Sequence, residues 1–247
     1  MDASLLFTFL IGFCASIVSG IAGGGAGFVV IPLLILLGLD PKIAAATSTL
    51  GAIGMGIGTL SRFSKSRELI RPHIIPFTVI SLVSGVLGAF LLIAMPTEYI
   101  RIFVGTMIAF FLPLFLFKKN AGLHEIHPTR LRSIIGYILY TTLLTIQAAF
   151  GSGTGVGIVY ILVFFFGFTM IQASATLRLP QLVSSLVTLP FFIAYGVLDY
   201  THGLVLFVSM VIGGYIGSHI AIKKGNRFVK TLFVILAIIL AVSMLLK

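Results

Sequence analysis

The chain has 247 residues, 59% of them apolar and 9% charged, with a mean hydropathy of +1.20. These values lie far outside the range of soluble domains and exclude a water-exposed globular fold. The net charge of +10 does not mark a nucleic-acid binder, because twelve of the sixteen Lys and Arg fall in three short clusters between apolar runs. The clusters are Arg62, Lys65, Arg67 and Arg71; Lys118, Lys119, Arg130 and Arg132; and Lys223, Lys224, Arg227 and Lys230. Short basic loops of this kind mark the cytoplasmic side of membrane proteins and contact anionic lipid.

The first apolar segment, Leu5–Ser19, has the length of a signal-peptide core. Asp2 rather than Lys or Arg precedes it and the apolar pattern continues beyond it, which predicts a first membrane segment. The stretch SGIAGGGAGFVVIPLL (19–34) then interrupts the pattern with Gly20, Gly23, Gly24, Gly25 and Gly27, residues that are costly inside helices. Phe28–Leu39 follows; its length of about 18 Å at 1.5 Å per residue falls short of the roughly 30 Å hydrocarbon core. Pro32 within it predicts a kink. Ile43–Leu60, Ile74–Ala94 and Ile100–Phe117 complete a first half, and the polar stretch KKNAGLHEIHPTR (118–130) reads as a linker. The second half runs through Ser133–Ala149, the short Val156–Phe168, Ile171–Ala194, Gly203–Ile222 and Phe228–Leu246. Continuous apolar runs without alternation argue against a transmembrane barrel and predict an all-α polytopic membrane protein.

The two halves match at a constant offset. GLDPKIAAATST (38–49) aligns with GFTMIQASATLR (167–178), pairing Gly38 with Gly167, Ala46 with Ala175 and Thr47 with Thr176. Gly85 and Gly88 pair with Gly214 and Gly217, Arg101 with Lys230, and the glycine run with AFGSGTGVGIVY (149–160). Each half contributes an odd number of segments, five, so the copies face opposite ways when all three basic clusters lie in the cytoplasm. The expected fold is one integral membrane domain made of two inverted-topology repeats, 1–120 and 132–247, joined by a cytoplasmic linker at 121–131. Each repeat opens with a Gly-rich broken or re-entrant helical hairpin. Such repeats are characteristic of secondary transporters, whose substrate site lies near the bilayer midplane.

Irregular backbone at that depth survives only where protein or a water-filled cavity surrounds it. Residues after each glycine turn start a new helix, so free N–H groups and the positive dipole end face the turn. That points to an anion site near Gly24, Gly25, Gly153 and Thr154. Close helix packing is the competing explanation of the glycines. One segment later come Thr47, Ser48 and Thr49, and in the second half Ser174, Thr176 and Arg178. Hydroxyls in membrane helices commonly bond their own backbone. Arg178, with no acidic neighbour in the sequence, is a functional-site candidate because an intramembrane Arg is costly; the alternative is that it snorkels to the cytoplasmic surface.

The six acids, Asp2, Asp40, Glu68, Glu98, Glu125 and Asp199, all fall at loops or segment ends, which argues against cation–proton antiport. His124 and His127 lack companions for a metal site, and no cofactor is expected. The lone Cys14 excludes an intramolecular disulfide and reads as a small packing residue. No Ser/His/Asp set, His cluster or paired carboxylates converge at membrane depth, which ranks an embedded enzyme low. No Walker motif is present, so ATP drive within the chain is not expected.

At GIAGGGAGFVVIPLL with LGLDPKIAAATST, and at GSGTGVGIVYILVFFFGF with ASATLR and GGYIGSHIAIKKGNRFVK, the chain resembles the TauE/SafE sulfite exporter family over nearly its whole length. The resemblance implies a multi-pass inner-membrane carrier of small sulfur-containing anions such as sulfite or sulfonates, usually exporting them. Two departures stand out: Thr154 replaces Gly25 in the second copy, and Pro32 has no counterpart. The residues alone support a small anionic substrate, with an anion channel as the alternative to a carrier. They leave open the oligomeric state and whether protons or sodium couple transport.

Overall fold

A computed structural model describes residues 3–66, 68–99, 122, 128–151 and 154–245. The expected segment Ile100–Phe117, most of the linker, Gly153, His124 and His127 lie outside them. Every regular element among the described residues is helical: α1 (Ala3–Ala22), α2 (Ala26–Leu36), α3 (Pro41–Phe63), α4 (Arg71–Ala94), α5 (Arg130–Phe150), α6 (Gly155–Phe166), α7 (Met170–Ala194) and α8 (Tyr200–Leu245). Six of these, all but α2 and α6, are long and apolar enough to cross a membrane. The last two expected segments form one assigned helix, α8, interrupted at Gly225 by φ 80 and ψ 177.

Helix boundaries follow local chemistry. Asp40 caps α3 by accepting the N–H of Lys42 at 2.8 Å, with Pro41 opening the first turn. Thr169 and Gln172 form a reciprocal capping box at the start of α7. Lys42 then donates through Nζ to the Ile93 carbonyl near the end of α4, at 3.0 Å. The Asn226 side chain, just past the break in α8, accepts the N–H of Ile171 at 2.9 Å.

Small residues bring several helix pairs to backbone distance, as is common where lipid is as apolar as Leu, around an apolar core that includes Phe63, Phe77, Tyr140, Leu144 and Phe192. α1 and α3 flank α8, while α4 packs on α5 and α7, and α3 crosses α7. A Cβ on Gly54 or Gly58 of α3 would collide with the Phe207 or Val211 carbonyl of α8, and one on Gly217 with the Ile17 carbonyl of α1. Other large apolar side chains point outward: Leu204, Val208, Ile212 and Tyr215 make an exposed stripe on α8 at helical spacing, and Ile134 and Ile138 another on α5. Cys14, expected to be packed, is exposed on α1.

The packing repeats under exchange of positions 129 apart. Gly85 lies against the Ser184 carbonyl at 2.9 Å, and Gly214 against the Met55 carbonyl at 3.0 Å, measured from an added Cβ. The Ile70 N–H donates to Thr176 Oγ1 at 3.2 Å, and the Asp199 N–H donates to Thr47 Oγ1 at 3.0 Å. In both cases the second pair is the first with its members swapped between halves.

Candidate functional site

Two breaks of the helical backbone meet inside the bundle. α1 ends at Ala22, Gly23 and Gly25 take φ of 89° and 101°, and α2 starts at Ala26. Those dihedrals are open to glycine and strained for other residues. α5 ends at Phe150, Gly151 takes φ 74°, and α6 starts at Gly155. A Cβ added to Gly155 would lie 2.9 Å from Gly24 Cα and 3.0 Å from Gln181 Nε2, so the two turns approach each other at backbone distance.

Both short helices begin without a side-chain cap, unlike α3 and α7. Gly25 has no side chain to offer α2, and Thr154 turns its hydroxyl toward the Leu143 carbonyl at 3.4 Å instead of capping α6. The first-turn N–H groups of α2 and α6 therefore lack side-chain acceptors, and two positive dipole ends lie next to the meeting point.

Arg178 is completely buried, which rules out snorkelling. Its Nη2 donates to the Ser19 carbonyl in the last turn of α1 at 2.7 Å, and Nη1 donates to Gln181 Oε1 at 3.3 Å. It makes no ion pair among the described residues. Its own Nε and three buried polar atoms of neighbouring residues, Ser174 Oγ, Gln181 Nε2 and Ser19 Oγ, have no hydrogen-bond partner among the described residues. Ser174, Arg178 and Gln181 follow one another at four- and three-residue spacing, one face of α7. The Ser174 hydroxyl occupies the space a Cβ on Gly23 would need, which ties that face to the first glycine turn.

The other sequence-predicted residues distribute as follows. Gly24, Gly25 and Thr154 belong to the two turns, and Gly153 lies outside the described residues. Thr47 and Thr176 are fully buried and hold the backbone of the opposite half through their oxygens. Ser48 donates to the Ala45 carbonyl at 2.7 Å and fills the space beside Gly151. Thr49 is buried with its hydroxyl unpartnered among the described residues. Sequence reasoning missed Ser19 and Gln181; the spacing of Gln181 from Ser174 and Arg178 was the available signal.

Six span-length apolar helices around a buried polar centre define a multi-pass helical membrane protein. The model of the family described as "Sulfite exporter TauE/SafE" matches residues 8–244, and the chain belongs to that family. Among its relatives are a "Probable membrane transporter protein ORF9" of Sinorhizobium sp., 27% identical over 98% of this chain and 92% of the relative. A "Probable membrane transporter protein" of Haemophilus influenzae is 25% identical over 97% and 94%. "Probable membrane transporter protein YfcA" of Escherichia coli K12 is 24% identical over 96% and 88%. No solved structure matches.

Proposed function

We propose that the chain is a secondary carrier of small sulfur-containing oxyanions, sulfite or a sulfonate, across the inner membrane, most simply as an exporter. The observation that carries this reading is the set of four unpartnered polar atoms on and around the buried, acid-free Arg178 beside two uncapped helix starts. Buried polar atoms are costly unless something satisfies them, and an oxyanion would accept from all four at once. The guanidinium supplies the countercharge, and its planar fork suits an oxyanion. Backbone near Gly24, Gly25 and Thr154 would line the remaining side.

Alternating access follows from two halves of inverted topology, each opening with a glycine-broken hairpin. Exchange-related packing at offset 129 supports this, as do the paired threonine contacts. Side-chain divergence supports it as well. Arg62 contacts His219 Nδ1 through Nη2 at 2.7 Å, while the related positions hold Phe191 and Phe90, whose rings lie 5.4 Å apart. An Arg–His hydrogen bond at one position and an aromatic pair at the related position is the outcome expected when one structural unit serves both leaflets. Sulfur specificity rests on family membership; the residues themselves support a small anion.

The test is thermal stabilisation of the purified chain by sulfite, thiosulfate, sulfate, a sulfonate, a carboxylate and chloride at fixed ionic strength, with wild type and Arg178→Ala in parallel. Selective stabilisation by one sulfur oxyanion, lost in the variant, is expected. A selective response that survives in Arg178→Ala removes that residue from the site, and an unselective response removes the anion assignment. Saturable flux with trans-stimulation distinguishes the carrier from an anion channel.

A further inference from the structure

α7 carries a polar face that its counterpart in the first half lacks. Ser174, Arg178, Gln181, Ser184 and Thr188 recur at three- and four-residue spacing, and all of them are buried. The positions 129 earlier, on α3, hold Ala45, Thr49, Ala52, Met55 and Thr59. The two helices sit in seams of the same design: Gly85 of α4 lies against the Ser184 carbonyl, and Gly214 of α8 against the Met55 carbonyl. The related threonines also do the same work. Thr188 Oγ1 donates to the Ser184 carbonyl and Thr59 Oγ1 to the Met55 carbonyl, each at 2.8 Å. A hydroxyl bonded to its own helix is ordinary in a membrane span, and that accounts for both threonines.

The same account fails at Ser184. Its hydroxyl has no hydrogen-bond partner among the described residues, and the residue is 3% exposed. In the related seam the position is filled by Met55, whose Cγ lies 3.3 Å from a Cβ placed on Gly214, so packing there uses bulk and no polar side-chain atom. Serine gives up that bulk and adds a buried hydroxyl, and both changes are unfavourable unless something partners the hydroxyl. Gln181 repeats the situation where α3 has Ala52. Its Oε1 accepts from Arg178 Nη1 at 3.3 Å, while its Nε2 is unpartnered among the described residues and lies 3.0 Å from a Cβ placed on Gly155. Gln181 and Ser184 are three residues apart on one helix, a spacing that puts Cβ atoms about 5–6 Å from each other. Unpartnered polar atoms therefore continue from Arg178 through Gln181 to Ser184, close to the middle of the 25-residue α7.

We infer that Ser184, together with Gln181, is a second hydrogen-bonding station for the transported anion, reached when the anion leaves Arg178 toward the middle of the bilayer. Buried polar side chains in membrane helices mark substrate pathways, and carrier sites lie near the midplane. An amide N–H and a hydroxyl both donate to an oxyanion. Neutral donors hold it less tightly than a guanidinium does, which suits a station that must also let go. The inference rests on the carrier reading and gives it a path along α7 that α3 does not duplicate.

The experiment uses the full chain, with exchange of radiolabelled sulfite measured in liposomes and sulfite affinity taken from thermal shifts in detergent. Ser184→Ala is expected to slow maximal exchange about tenfold, the loss of one hydrogen bond to a charged group. Sulfite affinity should stay within about twofold, because Arg178 is untouched. Ser184→Thr, which keeps the hydroxyl, should exchange near the wild-type rate. Ser184→Met, the residue that fills the related seam, should leave melting unchanged and stop exchange. Wild-type exchange in both Ser184→Ala and Ser184→Met overturns the inference; water then satisfies the hydroxyl. A second arm needs neither sulfite nor the Met variant. In the cysteine-free Cys14→Ala background, Ser184→Cys should react with the anionic reagent sulfonatoethyl methanethiosulfonate and Met55→Cys should not. Equal behaviour at the two positions, reactive or inert, also overturns the inference. A wild type with no sulfite exchange and no stabilisation by sulfite overturns the carrier reading instead, and the cysteine pair still decides whether the α7 face admits an anion.

Discussion

Thr47 Oγ1 accepts the amide N–H of Asp199 at 3.0 Å, and its partner by exchange, Thr176 Oγ1, accepts that of Ile70 at 3.2 Å. Each threonine therefore latches the chain entering a long helix of the other half, Asp199 leading into α8 and Ile70 into α4. Thr47→Val should release only the 199 amide and Thr176→Val only the 70 amide. With a hydrogen bond worth about 0.5–1.5 kcal/mol net, amide exchange at the released site should quicken by about two- to tenfold. Exchange mass spectrometry of the two segments reads this directly, and an equal response at both segments in either variant would sink the latch assignment.

Close packing of α3 on α8 gives a prediction about glycine alone. A Cβ at Gly58 meets the Val211 carbonyl, a rigid backbone atom, whereas one at Gly56 meets the flexible Leu182 side chain at 3.1 Å. Gly58→Ala should cost about 1–3 kcal/mol, and Gly56→Ala distinctly less. Melting of the two variants beside wild type decides the order, and equal melting temperatures would contradict the packing described.

Arg178→Lys tests the fork rather than the charge. An ammonium cannot bond the Ser19 carbonyl and Gln181 Oε1 while also offering a third donor in the guanidinium plane. The expected outcome is sulfite affinity weakened about tenfold or more, near 1.4 kcal/mol, with the fold retained. Isothermal titration of sulfite into the variant measures it, and wild-type affinity would show that charge alone suffices.

Asp199 provides a pH prediction. Burial raises its carboxyl pKa, but the His202 and Thr201 backbone N–H groups and the His202 ring outweigh it and hold the pKa below the ordinary carboxylate value. Its Oδ1 accepts the His202 N–H at 2.9 Å. Because the folded pKa is the lower one, the stabilisation is complete above the unfolded pKa and disappears as pH falls through the folded one. Wild type should lose stability as pH falls below the ordinary aspartate pKa of about 3.9, and Asp199→Asn should lose less over the same range. Parallel melting curves for the two proteins across that range would remove Asp199 from the account.

Much of the fold was legible because membrane spans are written in length and apolarity. The short α2 and α6 were legible too, since the glycine runs and the following polar positions bound them. The candidate site was legible only in part. Arg178 and Ser174 stand out because polar groups are rare in such a chain, and Gln181 lay one turn further along the same face. Ser19 offers both its hydroxyl and its carbonyl, and the carbonyl part, which holds Arg178, carries no residue-type signal. The tasks of Thr47 and Thr176 depend on partners 152 and 106 residues away, which no local pattern encodes.

The Arg178–Ser19 bond also bears on how the chain enters the bilayer. Its partners are separated by 159 residues, with α1 made early and α7 late in synthesis. An intramembrane Arg costs about 2.5–3.5 kcal/mol on insertion scales, and α7 carries no acid to offset it. The C-terminal turn of α1 therefore gains this bond only once α7, made 159 residues later at Arg178, has entered the bilayer.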